Sequence, residues 1–242
     1  MPRFFVNKDA VKEERIELGT ENSQHIVTVL RGRVGDEITV CDGEGTDYKC
    51  TLIDVNKKQA LAKICEVVKN TNEPDLKITL FQGLPKGDKM ELVIQKCVEI
   101  GVDCIVPVKT DFTVVKLDNK EDKKVARWNK ISEAAAKQCG RGKIPVVENI
   151  ISFKEAMENI SNFDSAIIPY EKEKETGIKQ FVKDFNGKRI AVFIGPEGGF
   201  SREEISLALS KGVTSVTLGN RILRTETAGL VTGVILLYEL ES

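Results

Sequence analysis

Apolar positions recur at two different periods along this chain, and the change of period divides it. Up to residue 70 the pattern is mostly that of strands. Phe4-Phe5-Val6 opens it, and Glu37 to Cys41 runs into the turn Asp42-Gly43-Glu44-Gly45. Tyr48 to Val55 alternates polar and apolar residues, and Ala60 to Cys65 forms another short apolar run. The exception is Ser23 to Arg31, where Ile26, Val29 and Leu30 fall at helical spacing until Gly32-Arg33-Val34-Gly35-Asp36 breaks it. Short strands separated by turn signals predict a small β-barrel.

The stretch Lys69 to Asp75 is polar and contains Pro74. It predicts a linker at 71–75 between a first domain, 1–70, and a second, 76–242. Beyond it strands and helices alternate, which predicts an α/β domain with a mostly parallel sheet. Strands are expected at Ile78–Gln82, Cys104–Val108, Ser165–Ile168, Ile190–Ile194 and Ser215–Leu218. The helices between them carry three capping-box spacings, Asp88 to Glu91, Ser152 to Glu155 and Ser201 to Glu204. The first of these helices ends at Gly101. Asp122 to Cys139 puts Val125, Trp128, Ile131 and Ala135 on one face, so Trp128 reads as core. A helix is expected around Thr176–Asp184, and the last runs from about Thr227 to Tyr238.

Composition adds exclusions. With 242 residues, 41% hydrophobic and 30% charged, the chain sits among ordinary soluble globular proteins. Its start turns charged too soon for a secretory signal, and its longest apolar run, Leu230 to Tyr238, is too short to cross a bilayer. A cytoplasmic location with no membrane partner is expected. No two of the six cysteines are spaced C-x-x-C, and the one histidine, His25, has no cysteine near it. No metal site is expected. A net charge of -1 excludes coating nucleic acid by bulk charge, but residues 76–143 carry 14 Lys/Arg against 9 Asp/Glu. That excess fits a basic face or a solvated helix surface.

Two loops carry candidate chemistry, each between a strand and a helix. In Gly195-Pro196-Glu197-Gly198-Gly199-Phe200 three glycines let backbone approach a ligand closely. The loop matches neither the dinucleotide nor the phosphate-loop spacing. Ser201 is committed to capping the next helix, which closes the amides that would otherwise hold a phosphate. A nucleoside ligand without phosphates, such as S-adenosyl-L-methionine, fits better than ATP or NAD. In Leu218-Gly219-Asn220-Arg221-Ile222-Leu223-Arg224-Thr225-Glu226-Thr227-Ala228, Ile222 and Leu223 can pack on an adenine face, while Arg224, Thr225 and Glu226 supply polar groups. The plain alternative is two ordinary turns with a surface ion pair.

With these loops, Gln82 to Glu91, Glu99 to Val102, Ala134 to Arg141 and, near the N-terminus, His25 to Arg31 continuing to Gly43, the whole chain resembles a known family. It is that of the bacterial small-subunit (16S) ribosomal RNA uridine-N3 methyltransferases, of the SPOUT class. Family members usually have Leu at position 100, where this chain has Ile, and a second basic residue close to Arg3. The resemblance implies a trefoil-knotted methyltransferase domain preceded by a PUA-like barrel. It implies a homodimer with its cleft at the interface, and small-subunit ribosomal RNA, within the assembled subunit, as partner. It implies S-adenosyl-L-methionine held by Ile194, Gly195, Glu197, Gly198, Gly199, Leu218, Gly219, Ile222, Leu223, Thr225 and Ala228.

For RNA, the candidates are Arg3, His25, Arg31 and Arg33 in or beside the barrel, and Lys86, Arg141 and Lys143 further on. Gly140 to Lys143 reads as a flexible basic loop, and Lys89 is a further possible phosphate contact. Each of these also fits a solvated surface group. For catalysis, Arg224 and Glu226 are the candidates: the proton on uridine N3 must leave, taken by a carboxylate or eased by a nearby cation. Glu197 is a further acid in the loops. Two other classes stay open: an RNA-binding protein of this class without catalysis, and a ribose 2′-O methyltransferase. A nucleotide-dependent oxidoreductase lacks its fingerprint after the first strand of the second domain.

Overall fold

The computed structural model describes residues 1–114 and 121–241. The chain forms two compact units, Met1–Glu73 with Ala136–Ile144, and Pro74–Ala135 with Pro145–Ser242.

In the first unit β1 (Arg3–Phe5), β2 (Arg15–Leu18), β3 (Glu37–Cys41), β4 (Thr46–Asp54) and β5 (Ala60–Lys69) form one curled sheet in the order β1-β3-β4-β5-β2. Two register shifts between β4 and β5 add to the curl. The alternation seen in the sequence turns Ile38, Val40, Cys50, Leu52, Ala60 and Ala62 into one core with Phe4, Ile16, Leu18 and Ile26. The helical stretch begins earlier than its apolar spacing indicates: α1 (Thr20–His25) runs into a π turn over Ile26–Leu30. Buried Ser23 fixes it, its hydroxyl donating to the Leu18 carbonyl and accepting from Ala60 N–H, both at 2.8 Å. The stretch ends at Arg31, whose φ of +53° is left-handed.

The loop 140–143 is pinned to this unit rather than free. Arg141 is 3% exposed. Its Nε and Nη2 donate to the two carboxylate oxygens of Glu73 at 2.8 Å each. The Gly140 carbonyl accepts from Asn70 and Asn72. The polar stretch read as a linker is thus anchored through Asn72 and Glu73. Burial pushes the Glu73 carboxyl up, but the Arg141 guanidinium and the N–H groups of Gly142 and Lys143 hold it below the usual value.

The second unit is a seven-stranded sheet in which every pairing is parallel. Its strands are β6 (Lys77–Gly83), β7 (Cys104–Lys109), β8 (Val146–Val147), β9 (Ile151–Ser152), β10 (Ser165–Pro169), β11 (Arg189–Ile194) and β12 (Thr214–Val216). The order is β12-β10-β11-β6-β7-β8, with β9 also on β7. Ile190 to Ile194 are all buried, as expected of a central parallel strand covered on both faces. Phe81 and Phe193 stack between β6 and β11 with centroids 4.5 Å apart. The helices are α2 (Lys89–Ile100), α3 (Glu121–Cys139), α4 (Phe153–Glu158), α5 (Ile178–Asp184), α6 (Arg202–Ser210) and α7 (Thr225–Leu240).

Ser152 and Ser201 form reciprocal capping boxes with Glu155 and Glu204. The third expected box is absent. Asp88 sits at φ -90°, ψ 9°, outside the extended region a capping side chain needs, and Glu91 pairs with Arg127 instead. Among the described residues no group of three or more His, Cys, Asp or Glu could hold a metal ion, and no helix is long and apolar enough to cross a membrane.

Candidate functional site

The site is built where the parallel strands end. The loops following β10, β11 and β12 converge with the start of α2 and α7 around a cavity of about 860 Å³. Close approach of backbone shapes it. A Cβ on Gly195 would lie 2.9 Å from the Gly199 backbone, and one on Gly83 would lie 2.5 Å from Pro196 Cδ. The glycine loop therefore folds tightly on itself and presses on the end of β6.

Side chains then lock the loops. The Thr225 hydroxyl, at the head of α7, donates to the Gly195 carbonyl at 2.6 Å and accepts from Gln82 Nε2 at 2.8 Å. Glu173 accepts from the N–H groups of Lys174, Glu175 and Thr176 and from the Ser215 hydroxyl, fixing the loop after β10. These bonds, that of Ser215 foremost, hold its carboxyl down at about 2. At the start of α6, the Ser201 hydroxyl accepts from Glu204 N–H and donates to Asp111 Oδ2 at 2.6 Å, while Glu204 Oε1 takes the Asp111 N–H. The helix N-terminus is thereby closed by its own side chains. Burial pushes the Glu204 carboxyl up.

One cation joins two acids. Lys89 Nζ lies 2.8 Å from Glu197 Oε1 and 3.6 Å from Glu226 Oε2. Glu197 also accepts from Lys86 N–H at 3.2 Å. Burial pushes the Glu197 carboxyl up, but the Lys89 ammonium and the backbone N–H groups outweigh it and hold the group below its ordinary value. Glu226 Oε2 is shut off from solvent and has no hydrogen-bond partner.

All eleven residues expected to hold the cofactor, Ile194, Gly195, Glu197, Gly198, Gly199, Leu218, Gly219, Ile222, Leu223, Thr225 and Ala228, line this cavity, as does Arg224. Ile222 stands 85% exposed at its edge. Glu226 is not on the cavity wall: its Oε2 faces Lys89. His25, Arg31, Arg33, Lys86 and Lys143 are exposed. Arg3 and Arg141 are not free surface cations. Arg3 pairs with Asp47 at 2.5 Å and donates to the Arg141 carbonyl, while Arg141 is spent on Glu73. The sequence reading missed Lys89 as a cavity residue, and with it Tyr170, Glu171, Glu173 and Lys174. The last four follow a strand, as the two glycine loops do, and that position was the available signal. No cysteine lines the cavity. Burial pushes the Cys41 thiol up to about 11 and those of Cys50, Cys97 and Cys104 up to about 12.

Known proteins resemble this chain over its whole length. Residues 72–237 match the family model of the RNA methyltransferase domain, and residues 18–65 that of the RNA methyltransferase PUA domain. The chain is 34% identical to ribosomal RNA small subunit methyltransferase E of Bacillus subtilis, over 100% of this chain and 98% of the relative. The same enzyme of Neisseria gonorrhoeae, solved bound to S-adenosyl methionine, superposes with a TM-score of 0.88 at 33% identity, covering 98% of this chain and 96% of that one. A methyltransferase of Legionella pneumophila, solved in complex with the bound cofactor SAM, gives a TM-score of 0.87 at 34% identity, over 97% and 96% of the two chains. With its methyltransferase unit, its PUA match and relatives aligned from end to end, the chain belongs to the family of ribosomal RNA small subunit methyltransferase E.

Proposed function

We infer that the protein transfers the methyl group of S-adenosylmethionine to small-subunit ribosomal RNA, at N3 of a uridine. The observation that carries this reading is the cavity at the ends of β10, β11 and β12. It combines glycine backbone, apolar Ile194, Leu218, Leu223 and Ala228, and a helix N-terminus already closed by Ser201 and Glu204. Such a site fits a nucleoside that carries no phosphate. The adenine ring would lie among Ile194, Leu218, Ile222 and Leu223. The polar end would meet Glu197, Arg224 and Thr225. When bound, the cofactor supplies an activated sulfonium methyl, so the residues mainly have to align donor and acceptor. Positioning of that kind can supply roughly 7–11 kcal/mol.

RNA is taken to dock through the exposed cations His25, Arg31, Arg33, Lys86 and Lys143. The RNA-docking domain is placed at 1–70 and the methyltransferase domain, with its trefoil knot, at 76–242. The working form is a homodimer in the cytoplasm, and the substrate is RNA within the assembled small subunit. Methylation at N3 rests on the family to which the chain belongs. The absence of cysteine from the cavity wall also fits it, because attack through pyrimidine C5 usually enlists a thiolate.

Mass spectrometry of nucleosides from ribosomal RNA, in cells with and without the gene, tests the reading. N3-methyluridine lost with the gene is the expected result. A missing 2′-O-methyl or 5-methyl nucleoside instead would overturn the N3 assignment. Titration with S-adenosylhomocysteine against NADH tests the cofactor separately.

A further inference from the structure

Three charged groups meet at the cavity, and two of them, Lys89 and Glu197, line it. Lys89 lines the wall, Glu226 lies behind it, and Glu197 grips it from the glycine loop. An ammonium has three N–H groups, and Lys89 gives one hydrogen bond, to Glu197 at 2.8 Å. The Glu226 oxygen at 3.6 Å attracts the charge without accepting a normal hydrogen bond. Donor capacity therefore remains for an oxygen inside the cavity. Arg224, the other cation proposed for this chemistry, is exposed at the head of α7. A cation already held by two acids is the better electrostatic catalyst, because nothing has to reorganise when charge develops.

We propose that Lys89 is the catalytic cation: its ammonium stabilises the negative charge on the carbonyl oxygens of the acceptor uracil once N3 has lost its proton, with Glu197 and Glu226 as positioning residues. This rests on the methyl-transfer reading above. In that reaction N3 gives its proton to solvent and its electron pair bonds to the methyl carbon. The carbon–sulfur bond breaks with its pair left on sulfur, giving N3-methyluridine and S-adenosylhomocysteine. Lys89 exchanges no atom in this scheme. Its hydrogen bond to Glu197, together with the two acid charges, pushes its own pKa up, so it stays charged while the acceptor ionises. Facing it are Glu197 from the glycine loop and Glu226 from α7. No histidine or cysteine lines the cavity, so no side chain there has an ordinary pKa between about 6 and 9.

The test compares wild type, Lys89→Gln and Lys89→Arg in single-turnover methylation of small subunits from cells lacking the gene. Rates are followed across pH at saturating S-adenosylmethionine, and S-adenosylhomocysteine affinity is measured by calorimetry. Lys89→Gln should keep that affinity within about threefold and lose about 100-fold in rate at pH 7. Its rate should begin to rise at a pH at least one unit higher, because the acceptor must ionise unaided. Lys89→Arg should recover part of the rate and most of the pH midpoint. Three results would overturn the proposal: an unchanged rate, an unchanged midpoint, or loss of S-adenosylhomocysteine binding, which would make Lys89 a cofactor ligand or a fold determinant. A wild type that makes no N3-methyluridine would instead sink the methyl-transfer reading itself.

Discussion

Gly198 is packed so closely on Phe112 that a Cβ at position 198 would lie 2.8 Å from the Phe112 Cβ. The missing side chain makes room for an aromatic residue of the neighbouring loop, not for ligand. Gly198→Val should therefore displace the glycine loop and weaken S-adenosylhomocysteine binding, by tenfold or more in calorimetry, in a protein that still folds. Gly198→Ala should do less, and Phe112→Gly, which removes the Cβ that is struck, should rescue it. Unchanged affinity in folded Gly198→Val would remove the loop from the cofactor site.

The buried amide of Gln82 and the hydroxyl of Thr225 form the second lock. Thr225→Val leaves the Gly195 carbonyl without its donor from Thr225 and Gln82 Nε2 with the Gly83 carbonyl as its remaining acceptor. Leaving buried groups unpaired costs about 1–3 kcal/mol each. Stability should fall within that range and cofactor affinity should fall with it. Thr225→Ser should restore both, and chemical denaturation with calorimetry reads the pair.

These two sites show what the sequence made legible. Glycine loops after strands are visible because close backbone approach demands a residue type. Lys89 and Glu171 were invisible as cavity residues because charged residues are common and only the fold brings them to the strand ends. Arg141 read as a surface cation because nothing local reveals a partner 68 positions away, Glu73. The strands β8 and β9, two residues each, are too short for a period to appear. Asp88 had the spacing of a cap but not the backbone angles.

Glu173 gives a pH-dependent prediction. Its carboxyl is held at about 2, against an ordinary 4.5, so the fold prefers the charged form. The stabilisation is complete above the ordinary value and disappears as pH falls from about 5 towards 2. Glu173→Gln should lower Tm at pH 7 by roughly 2–4 °C. The gap to wild type should narrow as thermal melts are repeated at lower pH. A gap that does not change with pH would show that the carboxylate charge plays no part.

The RNA-docking proposal separates surface cations from buried ones. Replacing exposed Arg31 and Arg33 by Ala should flatten the log–log salt dependence of RNA affinity by about 1.4–1.8 in total. Arg141→Ala should leave the slope as it is. It should instead destabilise the first unit by about 3–5 kcal/mol, by stranding the Glu73 carboxylate. An unchanged slope in the first pair would remove both residues from the interface.

Dimerisation is expected through the apolar end of α7. Val234 and Tyr238 are 46% and 80% exposed, and Leu92 on α2, which packs with α7, is 46% exposed. Light scattering should give about twice the 26.8 kDa of one chain. Tyr238→Asp should shift it towards the monomer. A wild-type monomer at micromolar concentration would contradict the assignment.

The path of the backbone limits how the two units can be handled. It leaves the first unit at Glu73, returns at Ala136 and leaves again after Ile144, so no single cut frees either unit whole. A fragment beginning at Pro74 would carry Arg141 without Glu73, and Gly140 without Asn70 and Asn72. A fragment ending at Glu73 would lack the Arg141 guanidinium and the Gly140 carbonyl that those residues bind. Limited proteolysis near residue 73 should therefore leave the two pieces associated. Shuffling of gene segments cannot trade one unit without three matched junctions, which makes the docking half and the transfer half a single heritable part rather than interchangeable cassettes.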